Sequence, residues 1–188
     1  MNLLTIKLIN VTKKYRKHYV FRNFNLSIDN QRVNFLVSPN GTGKSTLIKI
    51  ILRLIKFKGI VETNIISYSY CPEKVVLPDF LRVIDFLKLF NIDIIKTHEL
   101  LDKFKINKDL TISSLSKGMH QKILIIQSLA VDSDSYFFDE PLSGLDKNSE
   151  SIFINEVNKL YKLGKMIVIS SHYIERYQQL NKRIIELG

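Results

Sequence analysis

Apolar and polar residues alternate over Leu4–Val11 and again over Val20–Ile28, so each stretch predicts a strand. Their close spacing predicts an antiparallel hairpin. Arg32–Val37 reads as a further strand. After it, Leu47, Ile50, Ile51 and Leu54 recur at helical spacing and predict a helix from about Gly43 to Leu54. Gly59–Glu62 and Ile65–Tyr70 read as short strands about a turn at Thr63 and Asn64, and Pro72 and Pro78 punctuate the next stretch of chain. From Phe80 to Ile106 the pattern becomes helical, with Phe80, Ile84, Leu87 and Phe90 on one face and Leu100, Leu101 and Phe104 on another. The polar segment Asn107–Ser114 leads into a helix that runs to about Ala130. Tyr136–Phe138 is then a strand, Ile152, Val157 and Leu160 mark a helix ending at Gly164, and Met166–Ile169 and Arg183–Leu187 close the series as strands. Strands that alternate with helices imply an α/β fold with a mainly parallel core sheet. The helical block, residues 74–115, is expected to be a short inserted subdomain.

A chain of 188 residues with 45% apolar and 10% aromatic residues supports one well-packed domain. The single cysteine, Cys71, has no internal disulfide partner, which fits a reducing compartment. Met1–Lys7 alternates like a strand, so no signal peptide is expected. Lys or Arg interrupts the two most apolar stretches, Leu47–Phe57 and Phe80–Phe90, and neither reaches the roughly 20 residues that span a bilayer. The expectation is a chain that is soluble, or peripheral to a membrane through a partner. The net charge of +10 invites a nucleic-acid reading. The lysines occur in every segment and no helix carries a basic stripe with interleaved aromatics, so no specific nucleic-acid partner is expected.

The chemistry is carried by Ser38-Pro39-Asn40-Gly41-Thr42-Gly43-Lys44-Ser45-Thr46. A Gly-rich turn between a strand and a helix presents backbone N–H groups and a helix N-terminus to an anion. Lys44 adds a full positive charge for the β- and γ-phosphates, and the Ser45 hydroxyl is placed to ligate Mg²⁺. Ser38 stands where such loops usually begin with glycine. A positive φ there would cost Ser about 1–2 kcal/mol, so an ordinary extended backbone is expected. Downstream, the apolar run Ser135–Phe138 ends in Asp139 and Glu140. A parallel sheet puts both carboxylates at its C-terminal edge beside the phosphate loop. There Asp139 suits the metal, and Glu140 suits polarisation of an attacking water.

Further motifs make the resemblance specific. Leu115-Ser116-Lys117-Gly118-Met119-His120-Gln121-Lys122 resembles the LSGGQ signature of ATP-binding cassette (ABC) ATPases. Ser143-Gly144-Leu145-Asp146 resembles the family's D-loop, and Ser170-Ser171-His172 its switch histidine. The resemblance implies a P-loop NTPase cassette spanning 1–188. Residues 1–73 and 116–188 would form a RecA-like core with an N-terminal antiparallel β-subdomain, and 74–115 the helical subdomain. It implies ATP and Mg²⁺ as cofactors and hydrolysis of ATP to ADP and phosphate.

It further implies two cassettes closing head to tail, a homodimer, with each ATP between one phosphate loop and Ser116, Gly118 and Asp146 of the other subunit. Glu140, His172 and Lys44 are the expected catalytic residues. Tyr15 matches the aromatic that stacks on adenine, with Tyr19 as the nearby competitor. Glu73 stands where the family usually has a glutamine next to the metal. Pro72-Glu73 and the Ser-Lys-Gly-Met form of the signature look like exporter cassettes. The implied role is therefore the ATPase subunit of an exporter, held at the inner face of the cell membrane by a separate transmembrane permease. The alternative is a soluble cassette acting on ribosomes, nucleic acid or protein assemblies.

Overall fold

The computed structural model describes residues 3–187. β1 (Thr5–Tyr15) and β2 (His18–Asp29) form the expected antiparallel hairpin, paired from Thr5 opposite Asp29 to Tyr15 opposite His18. β3 (Val33–Val37) feeds the Gly-rich turn and α1 (Lys44–Ile51). The segments around Thr63 and Asn64 do not pair with each other. β4 (Lys58–Thr63) joins β1 in a three-stranded sheet of order β2-β1-β4, whereas β5 (Tyr68–Cys71) crosses into the core sheet. Asn64 holds this divergence in place: its side chain accepts from Thr5 N–H at 2.8 Å and donates to the Leu3 carbonyl at 2.8 Å.

β6 (Ser135–Asp139), β7 (Met166–Ser170) and β8 (Lys182–Glu186) complete a five-stranded, wholly parallel sheet of order β5-β6-β7-β3-β8. A sheet covered on both faces needs apolar residues at every position, and alternate side chains then enter different layers. Leu36, Phe137 and Val168 pack with α1 and with Ile6, Leu8, Val11 and Ile28 of the antiparallel sheet. Phe35, Phe138 and Ile169 face the helices on the other side. α1 is therefore clamped between two sheets by fully buried Leu47, Ile48 and Ile50, each contributing about 1.5–3 kcal/mol on burial.

The opposite layer holds α2 (Val83–Leu87), α3 (Ile94–Phe104), α4 (Lys117–Ala130) and α5 (Lys147–Lys162). The helical pattern expected from Phe80 is realised only in part. Phe80 lies ahead of α2 and is 78% exposed, and the buried face of that short helix is Val83, Ile84, Phe86 and Leu87. Pro78 sets this boundary, because Leu81 N–H bonds back to the Pro78 carbonyl in a turn instead of starting a helix. Phe90 stays at the surface, packed edge-on against Phe86 with ring centroids 5.3 Å apart. The buried apolar residues of 74–115 share one cluster with α4, α5 and β6. Among the described residues no helix is long and apolar enough to cross a membrane.

Candidate active site

Because β3, β6 and β7 are parallel neighbours, their C-terminal ends deliver three functional segments to one edge. From β3 comes the loop 38–43, from β6 the pair Asp139-Glu140, and two residues beyond β7 comes His172. The loop needs its glycines. Gly41 and Gly43 have φ of 82° and 114°, and a Cβ on Gly43 would stand 2.5 Å from Val20 Cγ1 of β2. Ser38 keeps a negative φ, as expected, and its hydroxyl bonds that of Thr42, which donates to the Pro39 carbonyl at 2.8 Å.

Lys44 is buried, and its Nζ donates to the Ser38 carbonyl at 2.8 Å. The same Nζ lies 3.0 Å from His172 Nε2 and 3.5 Å from Glu140 Oε1, while Nε2 and Oε1 are 3.1 Å apart. A cation, a carboxylate and an imidazole from three strand ends thus meet at one point, and Asn40 Oδ1 closes the group against His172 Nε2. Lys44, Ser45 and Thr46 line a cavity of about 170 Å³ together with Asn40, Glu73 and Glu140. A larger cleft of about 790 Å³ adjoins it, lined by Glu73, Glu140 and His172 and by the segment Ser143–Leu145.

Two features of this edge have no signal in the sequence. Glu140 adopts φ 48°, a left-handed conformation that costs a non-glycine residue about 1–2 kcal/mol. Ser170, fully buried and paired in register with Asp139, secures both acids. Its hydroxyl donates to Asp139 Oδ1 at 2.6 Å and accepts the Glu140 N–H at 3.0 Å. Tyr70 lies on the other side of Asp139, and its phenol is pushed well above its ordinary pKa by burial and then by the Asp139 charge. Burial, with Asp139 second, does the same to the Cys71 thiol, which makes it an inert packing group here.

The expected metal donors are a Ser45 hydroxyl and the carboxylates of Glu73 and Asp139. These are hard oxygens, which suit Mg²⁺. Among the described residues no cluster of three or more His, Cys, Asp or Glu forms a self-sufficient metal cage. Mg²⁺ fits such a sparse set, because it is commonly held by one or two protein oxygens, by waters and by substrate phosphates.

The remaining expected residues lie elsewhere. Ser116 caps α4, its hydroxyl accepting Met119 N–H at 3.3 Å. Gly118 is required by packing, since a Cβ would stand 2.9 Å from the Gly144 carbonyl. Asp146 caps α5, accepting Ser149 N–H at 2.8 Å, and pairs with Lys122 Nζ at 2.8 Å. Lys122 and the Ser149 N–H hold the Asp146 carboxyl far below the usual carboxylate range. Ser116, Gly118 and Asp146 line neither cavity at the phosphate loop. Tyr15 and Tyr19 flank the hairpin tip, 48% and 39% exposed, with Lys13 Nζ 4.6 Å from the Tyr15 ring centroid.

Comparison with known proteins converges on one family. A family model described as ABC transporter matches residues 21–143. An uncharacterized ABC transporter ATP-binding protein of Methanocaldococcus jannaschii is 32% identical over 97% of this chain and 73% of its own length. The zinc import ATP-binding protein ZnuC of Acinetobacter baylyi is 31% identical over 97% of this chain and 73% of its own. The manganese transport system ATP-binding protein MntB of Halalkalibacterium halodurans is 27% identical over 97% and 85%. Among solved structures, an ATP-binding subunit of an ABC transporter superposes with TM-score 0.86 at 23% identity, covering 97% of this chain and 85% of that one. A dimeric post-hydrolysis ATP-binding cassette bound to ADP and Pi superposes with TM-score 0.84 at 23% identity, covering 97% and 94%. At that identity the structural likenesses speak for the fold.

Proposed function

The chain belongs to the ABC transporter family of ATP-binding cassettes, and on that basis we propose that it is the motor subunit of a membrane transporter. It is an ATPase that works with ATP and Mg²⁺. The observation that carries the residue assignment is the meeting of Lys44, Glu140 and His172 within 3.0–3.5 Å at the mouth of the phosphate loop.

In this reading the N–H groups of loop 38–43 and α1 receive the triphosphate, and Lys44 turns from the loop carbonyls to the β- and γ-phosphates. Mg²⁺, when bound, supplies charge neutralisation on those phosphates, held by Ser45, Asp139 and Glu73. Glu140 takes the proton of the attacking water, and His172 holds Glu140 and the γ-phosphate in line. Ser116, Gly118 and Asp146 serve a second copy, closed head to tail, whose ATP their face covers. Tyr15 stacks on adenine. Hydrolysis reopens the pair, and a separate transmembrane permease uses the movement. Residues 74–115 act as the helical subdomain that meets this permease.

An export direction finds no support among the relatives. Those that name a substrate are ATP-binding proteins of zinc import and manganese transport, so uptake of a divalent metal ion is the better-supported direction and cargo. Two measurements test the reading. Glu140→Gln should abolish turnover yet retain ATP and accumulate as a dimer in sizing chromatography, and a variant with normal turnover removes Glu140 from the base role. Cells lacking this chain should accumulate less radioactive zinc or manganese. Unchanged uptake of both rejects the cargo.

A further inference from the structure

Lysines do occur in every segment, but the acids do not. The first 61 residues hold 12 Lys and Arg against a single acid, Asp29, whereas the remaining 127 hold 16 against 17. The whole excess charge therefore lies in the first 61 residues, which hold β1, β2, β3, α1, the start of β4 and the turns between them. In the remainder acids balance the cations in number and several pair locally: Lys103 and Lys159 with Glu156, Lys122 with Asp146, Lys165 with Asp132 and Arg176 with Glu150. Of the 12 cations in the first part, only Lys44 makes an ion pair among the described residues. Asp29 is itself drawn toward Arg183, at 3.9 Å.

The unneutralised charge concentrates at the hairpin tip. Lys13-Lys14-Tyr15-Arg16-Lys17-His18-Tyr19 turns the corner between β1 and β2, and the pairing of Thr12 with Lys58 brings β4 alongside. A basic stretch with interleaved aromatics, absent from every helix, is thus present on this hairpin. Lys13, Lys14, Tyr19, Lys56, Phe57 and Lys58 line a surface groove of about 340 Å³. Arg22 lies 4.0 Å over the Tyr19 ring and Lys14 5.8 Å, while Lys13 donates to the Lys56 carbonyl at 2.6 Å. Ile60, two residues beyond Lys58, is 55% exposed. Exposed Lys and Arg beside Tyr and an exposed aliphatic side chain make the composition of a membrane–water interface. A single-stranded nucleic acid would be served by aromatics in a continuous basic track, but here the cations ring one blunt tip.

We propose that the β1–β2 tip and the start of β4 form a docking surface for the phosphate headgroups of an anionic bilayer. The charge asymmetry orients the molecule with its first 61 residues toward the negative plane, and long-range attraction within about 10 Å supplies the rest. This surface shares Tyr15 with the motor reading and otherwise borrows from it only the nearness of a membrane.

The test is co-sedimentation of the purified chain, without any permease, with two vesicle types. One is phosphatidylcholine alone, and the other is equal parts phosphatidylcholine and phosphatidylglycerol. The chain should pellet only with the anionic vesicles, and should be released by salt that shortens the Debye length to about 3 Å. At about fivefold per charge near an anionic surface, K14Q/K56Q/K58Q should bind roughly a hundredfold more weakly. K14R/K56R/K58R should bind as wild type. K88Q/K108Q/K162Q, which removes the same charge from the neutralised part, should also pellet normally. Equal losses in both glutamine triples, or binding to phosphatidylcholine alone, would overturn the proposal. So would a single-stranded RNA oligomer that displaces the chain from vesicles. ATP turnover and melting temperature, measured on the same preparations without lipid, establish that each variant is folded. They also separate failure of this surface from failure of the motor reading.

Discussion

The two halves of the expected nucleotide site are built differently. At the phosphate loop, residues from three strand ends are already joined: Lys44, Glu140 and His172 lie within 3.0–3.5 Å of one another. At the signature segment, Ser116 and Asp146 spend their side chains on capping α4 and α5, and Gly118 packs on the Gly144 carbonyl. The first half is a chemical centre held by charge. The second is a rigid face with little chemistry of its own. Such a division is expected where one copy supplies the reacting groups and another supplies a shaped lid.

The largest predicted effect breaks the first half. Lys44→Ala removes the cation that faces both Glu140 and the phosphates, and should lower kcat by about 10²–10³ and weaken ATP binding together. Fluorescent-nucleotide binding and steady-state kinetics distinguish this from a folding defect. Equal kcat values in the two proteins would dissolve the proposed centre.

Ser170 sharpens the same half, since it touches no substrate and acts through Asp139 and Glu140. Losing this buried hydroxyl costs about 1–3 kcal/mol of positioning, so Ser170→Ala should lower kcat roughly tenfold and raise the Mg²⁺ concentration for half-maximal rate. A drop in melting temperature with unchanged Mg²⁺ dependence would make Ser170 merely structural.

On the other half, Gly118→Ala pushes a methyl to 2.9 Å from the Gly144 carbonyl. It should destabilise the fold by about 1–3 kcal/mol in urea unfolding, while ATP binding to the isolated subunit survives. Loss of that binding would mean that the halves are coupled within one chain.

The smallest effect concerns acid. The Asp146 pKa is depressed in the folded chain by Lys122 and the Ser149 N–H. Its contribution to stability is therefore complete above the ordinary carboxylate value near 3.9 and fades as pH falls below it. Asp146→Asn should flatten the acid limb of the melting temperature between about pH 4 and 2 and leave the phosphate cavity intact.

The hairpin, the phosphate-loop strand and helix and the final α/β alternation were legible because their apolar periods of 2.0 and 3.6 report local geometry. The motif order likewise marked Lys44, Asp139, Glu140 and His172 as candidates. What periodicity could not carry was pairing between distant segments. Nothing in Gly59–Glu62 and Ile65–Tyr70 says that they enter different sheets, since that is decided by the Asn64 bonds to Leu3 and Thr5. Helical spacing from Phe80 likewise concealed the turn set by Pro78.

The order of residues alone was enough to nominate a phosphate-binding segment, because a Gly-rich turn before a helix has that chemistry wherever it lies. Which residues complete the site emerged only on folding. Parallel pairing brought Ser170 opposite Asp139 and set His172 against Lys44. Antiparallel pairing of β1 with β2 and β4 gathered their cations onto one tip, a summation of charge that depends on distance in space and not along the chain.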